Sequence, residues 1–110
     1  ARELASFAAS QGVRVVWTSA IESAVGRMAV AHLAASAMAT PGPGAESTCC
    51  SSGGLTGPHG LATGRLLDRD VVQSPDVIEE GVLQLRGGPG LGVDVDTDLL
   101  DALTAPGGVR

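Results

Sequence analysis

Residues 13–38 read VRVVWTSAIESAVGRMAVAHLAASAM, and the change of pattern inside this stretch decides the fold class. From Val13 to Thr18 the residues are β-branched or aromatic, with Arg14 the one charged interruption. That composition predicts a strand covered on both faces, and so a parallel one. In residues 23–38, Val25, Met28, Ala29, His32, Leu33 and Ser36 then recur three or four apart among small alanines, which predicts a helix that packs closely. Upstream, Leu4, Phe7 and Ala8 fall at helical spacing within residues 2–10, and Gly12 follows where a helix C-terminus favours glycine. Helix, strand, helix is an α/β order.

Beyond residue 38 the pattern breaks. Residues 39–57 mix Pro, Gly, Ser and Thr without periodicity and predict a flexible loop. Leu61 to Leu67 predicts a short strand and a turn, and Asp68 to Val72 a short helical segment stopped by Pro75. Val77, Ile78, Val82, Leu83 and Leu85 surround Glu79, Glu80 and Gly81 and predict a small hairpin. Gly87, Gly88, Pro89, Gly90 and Gly92 form a tightly turning segment, and Asp98 to Leu103 a last short helix.

Seven Arg against twelve Asp and Glu leave a net charge of −5, which argues against nucleic acid as a partner because phosphates require clustered cations. The longest apolar stretch, residues 25–38, is interrupted by Arg27 and His32 and is too short to span a bilayer. No signal segment opens the chain, so no membrane association and a cytoplasmic location are expected. Cys49 and Cys50 are adjacent, a spacing that fits neither an easy disulfide nor a zinc site. The core must be aliphatic, since the chain has one Phe, one Trp and no Tyr. It also has no Lys, so these residues cannot complete a mechanism that uses a lysine base. The helical pattern is under way within four residues of Ala1, and the chain is read as a fragment.

The stretch TSAIESAVG, residues 18–26, lies where the predicted strand meets the predicted helix. Strand C-terminal ends are where α/β sites are built, and helix N-termini there attract anions such as carboxylates. Ser19, Ser23 and Gly26 are small enough to admit a ligand. Ser19 and Glu22 also have the S-x-x-E spacing of a capping box, which would only satisfy backbone donors. PHGLATG, residues 58–64, is a second turn that could present backbone donors, although it has neither a Walker nor a dinucleotide pattern. His59 reads as a solvated loop residue, and His32 as a packing residue. DVDTD, residues 94–98, lacks the glycine and glutamate that a calcium loop requires, and reads as a strand end leading into a helix cap.

Three segments in this order, VVWTSAIESAVGRMAVAHLAA, HGLATGRLLDRDVV and VIEEGVLQLRGGPGLGVDVD, together resemble the C-terminal end of the muconate-lactonising branch of the enolase superfamily. Within it, S-A-x-E-S-x-x-G followed by H-G-L-x-T-G looks most like the o-succinylbenzoate synthases. The resemblance covers nearly the whole chain apart from the 39–57 loop, which looks longer and more polar than is usual there. It implies the C-terminal part of a modified TIM-type (β/α)7β barrel: residues 1–12 the sixth barrel helix, 13–18 the seventh strand, 23–38 the seventh helix and 60–64 the end of the eighth strand. Residues 1–75 would be barrel units and 76–110 a tail returning towards a capping domain. It implies dehydration of 2-succinyl-6-hydroxy-2,4-cyclohexadiene-1-carboxylate in menaquinone biosynthesis, with Mg2+ as cofactor. The catalytic lysines and metal ligands would lie on an N-terminal part of the same enzyme, leaving this piece inactive alone. The implied substrate-binding residues are Ser19, Glu22, Ser23, Gly26, Gly60, Leu61, Thr63 and Gly64. On that reading Gly26→Asp is expected to weaken dicarboxylate binding and leave stability nearly unchanged. An N-acylamino-acid racemase or dipeptide epimerase of the same branch, and an inactive structural fragment, are the alternatives.

Overall fold

The computed structural model describes residues 1–38, 58–74 and 76–104. Its elements are α1 (Arg2–Ser10), α2 (Ala24–Met38), a 3-10 helix (Ala62–Leu66), β1 (Ile78–Glu79), β2 (Val82–Leu83) and α3 (Thr97–Thr104). The predicted 39–57 loop with Cys49 and Cys50, and the predicted stop at Pro75, lie outside the described residues.

α1 ends as its sequence predicts. Gly12 takes a φ of +70°, a left-handed conformation that costs other residues about 1–2 kcal/mol. This lets Gly12 N–H reach the Ala9 carbonyl at 3.0 Å and Val13 N–H reach that of Ala8 at 2.9 Å, the paired bonds of a Schellman stop. The chain then runs back so that Ala5, Trp17 and Ala34 form a small core, with Val15, Val30, Leu33 and Ala37 packed around it.

Residues 13–18 depart from expectation. They are extended, but their one bridge among the described residues is a parallel one between Thr18 and Gly60, and Val13 and Val16 are 54% and 57% exposed. Parallel pairing is present; cover on both faces is not. Side chains alternate along an extended chain, so Val15 and Trp17 turn towards the helices while Val16 turns to a face that no described element covers.

α2 buries a different stripe from the one its periodicity suggests: Ala24, Arg27, Met28, Ala31 and Ala34. The helix is apolar nearly all round, so sequence spacing could not select a face, and the alanines allow the close approach that does.

The segment after residue 60 is corrected in two places. The helical turn falls at 62–66, where a strand was expected, and no helix forms at 68–72. Those residues are drawn out because Val72 bridges Val95 antiparallel, with Gln73 N–H bonded to the Asp94 carbonyl and Asp96 N–H to that of Val71. The hairpin forms as predicted, pairing Ile78 with Leu83 and Glu79 with Val82. Its two-residue turn, Glu80 and Gly81, has φ of 49° and 81°, the double positive φ that suits a right-twisted hairpin. Asp96 caps α3 by accepting Leu99 N–H at 2.9 Å, as the acids before that helix suggest.

Candidate functional site

The bridge between Thr18 and Gly60 brings the two motifs together. Ser19 N–H donates to the Gly60 carbonyl at 3.0 Å and Gly60 N–H to that of Trp17 at 2.9 Å. Ser19 is buried; its hydroxyl lies 2.8 Å from the Thr63 hydroxyl and 3.3 Å from the Gly60 carbonyl. Either hydroxyl can be the donor of that pair. If Thr63 donates, the Ser19 proton goes to the Gly60 carbonyl; if Ser19 donates, the Thr63 proton is the one left for a further acceptor. The capping-box alternative is excluded by this geometry, because the Ser19 hydroxyl turns to residues 60 and 63 and α2 begins only at Ala24.

The cap comes from elsewhere. Both carboxylate oxygens of Asp70 accept Ala24 N–H at 3.0 Å, and one also accepts Val71 N–H at 2.8 Å. An acidic side chain of the chain itself thus occupies the start of the helix dipole that the sequence suggested for a ligand carboxylate. Three residues on, Arg27 is only 2% exposed. Its guanidinium donates to Asp76 at 2.6 Å, to Asp70 at 2.7 Å and to the Glu22 carbonyl. Gly64 lies against it, since a Cβ there would sit 2.6 Å from the guanidinium carbon. Arg27, Asp70 and Asp76 wall a cleft of about 300 Å3, which Gly64, Arg65 and Ile78 also line.

Burial works against charge on both partners, and local bonding outweighs it. The Asp76 and Asp70 carboxylates, through hydrogen bonds and charge, hold the Arg27 guanidinium above its ordinary value. Ala24 N–H, the guanidinium and Val71 N–H hold the Asp70 carboxyl below the usual carboxylate range.

The family model described as enolase C-terminal domain-like matches residues 1–99. The chain belongs to that family. No curated protein and no solved structure matches it. Membership makes this enolase-like domain part of an α/β fold whose relatives are generally lyases or racemases that typically use Mg2+. The described residues do not fit a magnesium site on their own. They hold no group of three His, Cys, Asp or Glu side chains placed to bind a metal, and Asp70 and Asp76 are committed to Arg27. No described helix is long and apolar enough to cross a membrane.

Of the eight site residues suggested by sequence, Ser19, Gly60 and Thr63 share hydrogen bonds in this enolase-like domain. Leu61 is buried beside them in sequence. Glu22 and Gly26 meet each other, since a Cβ at Gly26 would fall on the Glu22 carboxylate. Ser23 contributes its carbonyl to Arg27 N–H at 3.1 Å. Gly64 follows Thr63 and lies against Arg27. His59 is not the solvated loop residue expected: Trp17 N–H donates to its Nδ1 at 3.3 Å, and its Nε2 and the Trp17 Nε1 are buried without a partner among the described residues. His32 is half-buried, with Nε2 3.3 Å from the Leu91 carbonyl. Arg27, Asp70 and Asp76 were missed by the motif reading. The signal was a charge inside an otherwise apolar helix, which must find partners if that face is buried.

Proposed function

We propose that the domain is the C-terminal part of a (β/α)7β-barrel o-succinylbenzoate synthase, cytoplasmic, which dehydrates 2-succinyl-6-hydroxy-2,4-cyclohexadiene-1-carboxylate to o-succinylbenzoate. The observation that carries the reading is the Ser19, Gly60 and Thr63 junction, where the two motifs of the resemblance meet across a parallel bridge. There a ligand carboxylate accepts the Thr63 hydroxyl proton while Ser19 donates to Thr63. Residues 1–110 bind and orient the dicarboxylate. The lysine that removes the proton α to the carboxylate, and the magnesium ligands, come from residues outside this sequence, because the chain has no Lys.

The test is an assay of the complete protein that carries residues 1–110, with product followed chromatographically. Release of o-succinylbenzoate, with a KM raised about tenfold in Ser19→Ala, is expected; that rise corresponds to about 1.4 kcal/mol. Racemisation of N-acylamino acids without dehydration would replace the synthase reading with its close alternative. Turnover of neither substrate would leave a structural piece.

A further inference from the structure

We infer that Arg27 is a positioning residue for the carboxylate subsite at Ser19 and Thr63, an inference that rests on the binding role proposed for that junction. The two chain segments that build the subsite share one hydrogen-bonded pair of hydroxyls, and both also rest on one guanidinium. On one side, Arg27 donates to the Glu22 carbonyl, which fixes the end of the 19–23 turn. On the other, Gly64 lies on the guanidinium so closely that a Cβ would come within 2.6 Å of its carbon and of Nη2, and 3.0 Å of Nε. Thr63 is the preceding residue, so the height of the 3-10 helix above Arg27 sets where the Thr63 hydroxyl stands relative to Ser19.

The guanidinium itself is not free to move. Asp76 holds Nε at 2.6 Å and Asp70 holds Nη2 at 2.7 Å, and Asp70 is tied in turn to the first backbone N–H of α2. The plane is therefore fixed to the helix start, and the turn that carries Thr63 is fixed to the plane. A lysine would keep the charge but lose the flat, forked surface, because an ammonium is a point donor on a flexible stem. Nor would it offer Gly64 a plane to lie on.

The experiment compares Arg27→Lys, Gly64→Ala and Ser19→Ala in the complete protein, using kinetics and calorimetric titration with o-succinylbenzoate. Gly64→Ala removes no charged partner, and its new methyl group, 2.6 Å from the guanidinium carbon, must push the turn and the guanidinium apart. It guards against an Arg27 variant that fails to fold, and Gly64 is not among the positive-φ residues, so no backbone strain is added. The expected result is a KM and a product Kd raised at least tenfold in both Arg27→Lys and Gly64→Ala, with kcat changed less than threefold. A merely structural arginine would lower the yield of folded protein and leave KM of the folded fraction alone. Wild-type KM and Kd in folded Gly64→Ala or folded Arg27→Lys would overturn the inference. If Ser19→Ala also binds as the wild type does, the subsite reading fails instead, and the positioning role with it.

Discussion

Replacing Asp70 by Ala removes two things at once: the oxygens that cap α2 and one of the two carboxylates that neutralise Arg27. Loss of a cap costs about 1 kcal/mol. Loss of a hydrogen bond to a charged group costs about 1.5–3 kcal/mol. Asp76 still pairs Arg27, so the total stays at or below the roughly 3–5 kcal/mol expected when a buried charge is left bare. About 3 kcal/mol is the working figure, which at about 1.36 kcal/mol per decade is roughly a 150-fold change in opening equilibrium. The assay is native-state amide exchange across residues 24–28. Asp70→Ala should exchange there about two decades faster than wild type. Asp70→Asn, which keeps an oxygen for Ala24 N–H but no charge, should lose about half as much, and Asp76→Ala, which spares the cap, a similar amount. Protection of residues 24–28 in Asp70→Ala within threefold of wild type would refute the view that this carboxylate holds the helix start.

The same bonds set a pH dependence. The folded Asp70 pKa lies below its ordinary 3.8, so its contribution is fully present above that value and fades as pH falls through the lower folded one. An acid titration monitored by exchange at Ala24 should show protection flat at neutral pH and lost only below about 4, and Asp70→Asn should abolish that limb. Gly26→Asp should now reduce stability as well as binding, contrary to the sequence expectation, because its side chain starts where the Glu22 carboxylate lies. The Glu22 side chain is half-buried and can swing aside, so the cost stays at or below about 1 kcal/mol, the low end for overpacking. Denaturation midpoints should show the loss, with partial recovery when Glu22→Ala is added, and an unchanged midpoint would count against the contact.

α1, α2, α3 and the hairpin were legible in local pattern and the family in three segments taken together, while the 3-10 helix at 62–66 and the extended chain at 68–72 were not. α1 and its stop follow from the spacing of Leu4, Phe7 and Ala8 and from a glycine free to take positive φ at residue 12. The hairpin follows from apolar residues around Glu80 and Gly81, and the α3 cap from Asp96. Each depends on residues within a few positions of one another, where backbone geometry limits the outcomes.

The motifs also pointed to the right segments, since Ser19 and Thr63 do meet. Local pattern could not say what stands at the start of α2, because its cap lies 46 residues away in Asp70. Nor could it select the buried face of a helix that is apolar on nearly every side, or show that Arg27 has its partners 43 and 49 residues downstream. Such charges are acceptable in a buried place only once the chain has folded to bring opposite charges beside them. The identity of the partners is therefore a property of the packed chain, while the need for partners could be read from one arginine among alanines.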